Sequence, residues 1–157
     1  MQKTALFPGS FDPFTIGHES LVLRALAIFD KVVIAIGYNS DKKGYFPLEK
    51  RLEWIENVFR DKPAVEVTWF EGLTVDFCRK KNASFILRGL RTAADFEFER
   101  AIAQVNNAMA GDIESVFLLT RPEHTYINST IVRDIIKNGG DVSRFVPRGV
   151  GINEYKS

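Results

Sequence analysis

Residues 8–18 read Pro8-Gly9-Ser10-Phe11-Asp12-Pro13-Phe14-Thr15-Ile16-Gly17-His18, and the organisation of the chain follows from what lies on either side of them. Before the stretch comes a short strand-like run, Thr4 to Phe7. After it, His18, Leu21, Val22, Ala25, Leu26 and Phe29 fall at i, i+3, i+4, i+7, i+8 and i+11, the apolar stripe of an amphipathic helix. The stretch is therefore a turn from a strand into a helix. Gly9 and Gly17 permit close backbone approach, and the N–H groups at a helix start attract anions. It reads as a phosphate site without a P-loop lysine, to which Ser10 adds a hydroxyl.

The same alternation continues outward. Strand-like runs recur at Val32 to Ile36, Val65 to Phe70, Ser84 to Leu87 and Ser115 to Leu119. Leu48, Leu52, Ile55 and Phe59 mark a second helix behind Pro47, and Val75 to Lys80 a short third. Ala94, Phe98, Ala101, Ile102, Val105 and Met109 mark a long fourth before Gly111, and Ile131 to Lys137 a fifth ending at Gly139-Gly140. Nearly all-apolar strands such as Val32 to Ile36 are expected to be buried on both faces, as in a parallel sheet with helices on each side. The expected fold is α/β, a doubly wound parallel sheet of five strands in a single domain over residues 1–157. Ligands of such sheets bind beyond the carboxyl ends of the strands, which directs attention to the loops after strands one, two and four.

Composition narrows the function. The chain has 157 residues, 21 Lys and Arg against 20 Asp and Glu, 45% hydrophobic and 26% charged residues. A formal charge of +1 gives no general pull toward nucleic acid or anionic lipid, so neither is expected as a partner. Cys78 is the single cysteine, so a disulfide framework or cysteine-ligated metal is not expected. No apolar run approaches the roughly 18 residues of a membrane span, and no cationic leader opens the chain. The expectation is a soluble, unprocessed cytoplasmic protein.

Several side chains have two local readings. His18, on the apolar stripe, is either a core histidine or a phosphate donor at the helix mouth. Lys42, in the loop-like stretch Tyr38 to Gly44, is either a solvated charge or an anion contact. Arg88 and Arg91 flank Gly89 after the fourth strand, where guanidiniums can bind phosphate in bidentate fashion or serve neighbouring carboxylates. Asp95 and Glu99 form an i, i+4 like-charge pair that calls for a nearby cation, for which Arg91 is the closest candidate in sequence. Asn128, Ser129 and Thr130 form either a second phosphate site or an ordinary helix cap. No compact carboxylate cluster reads as a metal cage.

Taken together, these segments carry a resemblance. Thr15, Gly17 and His18 after Gly9-Ser10-Phe11-Asp12-Pro13 resemble the T/HxGH signature of the nucleotidyltransferase superfamily, which has a Rossmann-like fold. Lys42, Arg88-Gly89-Leu90-Arg91, Asp95 to Glu99, and Tyr126-Ile127-Asn128-Ser129-Thr130-Ile131-Val132-Arg133 are similar, in order and spacing, to the bacterial phosphopantetheine adenylyltransferases. The resemblance implies adenylyl transfer from ATP to 4′-phosphopantetheine, giving dephospho-coenzyme A and pyrophosphate by direct in-line displacement. It further implies Mg²⁺ carried with ATP, a homohexamer, and coenzyme A as feedback inhibitor.

Carried over residue by residue, the resemblance assigns His18, Lys42 and Arg91 to catalysis. It assigns Ser10, Phe11, His18, Gly89, Leu90, Arg91 and Glu99 to ATP, with His124, Thr125, Tyr126, Ile127, Asn128, Ser129 and Thr130 over its phosphates and adenine. Ser10, Lys42, Thr74 and Arg88 fall to phosphopantetheine, beside Gly72 and Leu73, and no protein metal ligand is implied. Three positions depart from the family pattern: Asn128 where Ser is usual, His124 where Trp or Tyr is common, and Thr74 where Met is frequent. Two rival readings are a transferase for another phosphorylated acceptor and a non-catalytic nucleotide sensor.

Overall fold

The computed structural model describes residues 1–156, so the last residue of the expected 1–157 domain lies outside the described residues. Strands and helices alternate: β1 (Thr4–Gly9), α1 (Ile16–Ala25), β2 (Lys31–Gly37), α2 (Leu48–Val58), β3 (Val65–Phe70), α3 (Thr74–Lys80), β4 (Phe85–Leu90), α4 (Ala93–Met109), β5 (Glu114–Leu119), α5 (Ser129–Lys137) and α6 (Ile152–Lys156). A short 3₁₀ turn, Pro122–His124, precedes α5. The five strands form one sheet in the order β3-β2-β1-β4-β5, every neighbouring pair parallel.

The apolar content of the strands dictates the layering. Val32 to Ile36 are all fully buried, and alternate residues feed two separate cores. Ala5, Phe7, Val32, Ile34 and Ile36 pack with Leu21, Val22, Ile55 and Val132 of α1, α2 and α5. On the opposite face Leu6, Val33, Ala35 and Ile86 pack with Val75 and Cys78 of α3. Each Val or Ile so buried stabilises the fold by about 1.5–3 kcal/mol relative to exposure.

Two local expectations change, and the structure shows which way the apolar face of α4 turns. The stripe that begins at His18 keeps Phe29 in the core, at 4% exposure, yet α1 ends at Ala25 and a turn carries the chain onward. β4 runs on through Arg88, Gly89 and Leu90, because β5 supplies a matching ladder opposite Phe117, Leu118 and Leu119. Arg88 and Gly89 therefore sit in the strand and not beyond it. The apolar stripe of α4 faces outward: Phe98, Ile102, Val105 and Met109 are exposed, and the one buried residue of the helix is Glu99.

Candidate active site

The strand order reverses between β1 and β4, where the sheet also comes apart. The β1–β2, β2–β3 and β4–β5 ladders each join six residue pairs, but β1 and β4 are joined only at Ala5↔Phe85 and Leu6↔Ile86. Two residues further on stands Pro8, which has no N–H to give to a ladder. Its carbonyl accepts instead from the Arg88 guanidinium. A cavity of about 310 Å³ opens at this point, between the turn after β1, the end of β4 and the start of α5.

The turn after β1 is shaped by one aromatic residue. Phe11 adopts φ 46°, in the left-handed region, and is 3% exposed. Its ring tip lies 2.9 Å from where a Cβ on Gly9 would stand, so only glycine leaves room there. Phe11 and Phe14 pack on His18, with ring centroids 5.0 and 5.2 Å away.

His18 closes a capping box at the start of α1. Its Nδ1 accepts the Thr15 backbone N–H at 3.0 Å, and its own N–H donates to Thr15 Oγ1 at 3.3 Å. An acceptor at Nδ1 places the ring proton on Nε2 of a neutral imidazole. Burial, then the Arg88 and Arg91 charges, push its pKa down from 6.5 to about 3. The two readings of His18 thus merge: it is a packed histidine held in the tautomer that can donate from Nε2. Because the folded value lies below the unfolded one, the unfolded chain binds the extra proton between these values, and stability falls as pH drops from about 6.5 toward 3. The ¹⁵N shifts of the His18 ring should stay those of the neutral Nε2–H tautomer from pH 8 down to pH 5; a titration near 6.5 would contradict this geometry.

The arginines divide the carboxylates between them. Glu99 grips Arg88 through both oxygens, at 2.8 Å to Nη2 and 3.0 Å to Nε. Asp95 instead accepts the Arg91 backbone N–H at 3.0 Å, with Arg91 Nε at 3.5 Å. The expected Arg91–Glu99 pairing is corrected: Glu99 lies one turn further along α4, where it faces the strand residue Arg88.

At the opposite wall, Asn128 caps α5 by accepting the Ile131 N–H at 2.8 Å. The Ser129 hydroxyl donates to Pro13 O at 2.8 Å, tying α5 to the turn after β1. Asn128→Ser should leave stability nearly unchanged, since both residues are good caps, and should change the KM for nucleotide by less than about tenfold. Ser129→Ala, which removes a tie, should cost more; steady-state kinetics on the two variants checks the order.

A second cavity of about 290 Å³ adjoins the first across Pro8, Gly9, Ser10, Arg88 and Glu99. Its far walls are Thr74, Phe70, Ile102 and Phe117, so it is more apolar and contains fewer donors. A third cleft, beside the 38–45 loop, contains Lys42, Lys43 and Arg133. Ser10 lines all three.

A cytidylyltransferase-like family model matches residues 6–135. The chain is 51% identical over 150 residues to the phosphopantetheine adenylyltransferase of Flavobacterium psychrophilum, and 54% over 151 residues to that of Phocaeicola vulgatus. In each case the match covers 96% of this chain and 99% of the relative. The chain belongs to the phosphopantetheine adenylyltransferase family. Its fold is also that of a bifunctional NMN adenylyltransferase/ADP ribose pyrophosphatase from Francisella tularensis, with a TM-score of 0.72 at 20% identity over 93% of this chain and 45% of that one.

Most residues that resemblance to the phosphopantetheine adenylyltransferases singled out converge on the first cavity. Ser10, Phe11, His18, Gly89, Arg91, Glu99, His124, Ile127, Asn128, Ser129 and Thr130 all line it. Leu90 points into the interior at 8% exposure, Thr125 Oγ1 donates to Arg121 O at 3.2 Å, and Tyr126 is 62% exposed, so these three stand outside its wall. Thr74 and Arg88 line the second cavity, and Lys42 lies in the third cleft. Asp95, to which the sequence assigned no substrate, lines the first cavity beside Arg91. The described residues contain no group of three or more His, Cys, Asp and Glu suited to a metal, and both cavity carboxylates face arginines. The side chains present therefore do not build a resident metal site. No helix among the described residues is long and apolar enough to cross a membrane.

Proposed function

We propose that the chain transfers the adenylyl group of ATP to 4′-phosphopantetheine, releasing pyrophosphate and giving dephospho-coenzyme A. The observation that carries this reading is the pair of adjoining chambers with Arg88 and Ser10 on their common wall. One chamber, framed by the helix starts of α1 and α5 and by His18 and Arg91, suits a triphosphate. The other suits an uncharged flexible arm whose phosphate lies at the junction. An oxygen of the acceptor phosphate attacks the α-phosphorus, the bond to the bridging oxygen breaks, and pyrophosphate leaves. Charge builds on the α-phosphoryl oxygens, where the Nε2–H of His18 and the Arg91 guanidinium stabilise it. No covalent enzyme intermediate is needed, and the hydroxyl beside His18 Nδ1, on Thr15, is 1% exposed and engaged in the cap of α1.

Lys42 supplies a further cation for the acceptor phosphate. Lys42→Ala should raise the KM for phosphopantetheine about tenfold or more with little change for ATP, the scale of one charge-assisted hydrogen bond. Pyrophosphate release from ATP, measured with phosphopantetheine, nicotinamide mononucleotide, glycerol phosphate and phosphocholine, tests the reaction itself. Turnover with another acceptor alone would favour the rival transferase reading, and release with none would favour a nucleotide sensor. Mg²⁺ enters as part of the ATP complex. The assembly is a homohexamer, a reading supported by the exposed apolar face of α4, and the location is the cytoplasm, a reading supported by the absence of a cysteine pair in a chain whose single cysteine, Cys78, is buried and free. Coenzyme A, which carries both an adenylate and a pantetheine arm, acts as feedback inhibitor by spanning both chambers.

A further inference from the structure

Behind Lys42, one buried pair of opposite charges also lines the third cleft. Asp12 and Arg51 are 6% and 4% exposed, and their charged atoms stand 4.0 Å apart. At that distance they hold backbone more closely than they hold each other. Asp12 accepts the N–H groups of Tyr45 at 2.6 Å and Phe46 at 2.9 Å. Arg51 donates to Phe46 O at 3.0 Å and to Ser10 O at 2.7 Å. The pair thus staples the C-terminal end of the 38–45 loop to the turn after β1, with Phe46 buried beneath it. The other end of the loop is fixed by Tyr38 N–H donating to Phe70 O at 2.8 Å, and Lys42 stands between these two anchors.

We infer that Asp12 and Arg51 are positioning residues, which set the distance between Lys42 and Ser10 and so the site for the acceptor phosphate. This rests on the reading of Lys42 given above. Gly44 provides an independent handle. A Cβ there would lie 2.9 Å from Arg51 Nη2 and 3.0 Å from Asp12 Oδ2, so Gly44→Ala disturbs the staple without removing any charge.

The test is a double-mutant cycle on the full-length enzyme, with the KM for phosphopantetheine and for ATP measured separately. Asp12→Asn replaces one of the two acceptor oxygens with an NH2 donor, which then faces one of the two backbone N–H groups. It should raise the phosphopantetheine KM about tenfold or more and change the ATP KM less than about twofold. In a Lys42→Ala background the same substitution should add less than about twofold. Gly44→Ala should reproduce the acceptor-specific defect, and it carries the test should Asp12→Asn fail to fold. Equal losses for both substrates, or full additivity with a Lys42→Ala defect that is itself normal, overturns the positioning role alone. A Lys42→Ala enzyme with unchanged phosphopantetheine KM overturns the role of Lys42, and the positioning role falls with it.

Discussion

Exchanging His18 for alanine should lower kcat by about 10²-fold or more in a protein that stays folded, the scale of losing one transition-state donor from a preorganised site. The tautomer of His18 accounts for this effect. Thr15 N–H occupies Nδ1, so the only ring proton stands on Nε2, and an imidazole held neutral down to a pKa of about 3 donates without bringing a charge that the ground state would also bind. The Thr15 hydroxyl still receives the residue 18 amide after substitution, so the loss of half the capping box should cost only about 1 kcal/mol. Circular dichroism and turnover together check the claim. An unchanged kcat in a folded protein would remove His18 from the reaction.

Arg88→Ala should have the largest effect on stability and act on both chambers at once. It strips Glu99, 8% exposed, of its only bidentate partner among the bonds described, and leaves the Pro8 carbonyl without its guanidinium. Because Arg88 itself is partly solvated, the penalty should be about 2–3 kcal/mol, below the 3–5 typical of a fully buried pair. For a chain of this length that is a fall in Tm of about 5–10 °C. The kcat/KM for phosphopantetheine should drop about 10²-fold or more. A second change, Glu99→Gln, separates the two roles. In the Arg88→Ala background it should recover stability by removing the stranded charge, yet leave activity low. Recovery of both would mean that Arg88 serves the fold and not the substrate.

The fold and much of the site were legible in the sequence because the signals were local. The Gly-rich turn between a strand and an apolar stripe put His18 in the first turn of α1, where it stands, and the short apolar runs located all five strands. Two kinds of feature escaped. β4 extends through Arg88 because a partner strand and a distant carboxylate satisfy it, and no local pattern reports either. Arg51 escaped although a signal was present: Leu48, Arg51, Leu52, Ile55 and Phe59 fall at i, i+3, i+4, i+7 and i+11, so an arginine occupies the inward face of α2. A charge in the buried stripe of a helix needs fixed partners, and here they are backbone groups more than thirty residues apart in the chain from one another. α4 shows the limit of periodicity, which reports that a helix has an apolar face but not whether its own chain covers it.

The parting of β1 from β4 at Pro8 also leaves the sheet with one short ladder at its middle. Two well-laddered slabs, β3-β2-β1 and β4-β5, meet along a seam only two residue pairs long. Such a seam is where opening motions of low free energy concentrate. One slab carries Ser10, His18 and Lys42, and the other carries Arg88 and Arg91, so any ligand that reaches from one set to the other spans the seam. A ligand held by both sets would then tie the two slabs together, and amide hydrogen exchange along β1 and β4 should slow when both chambers are filled.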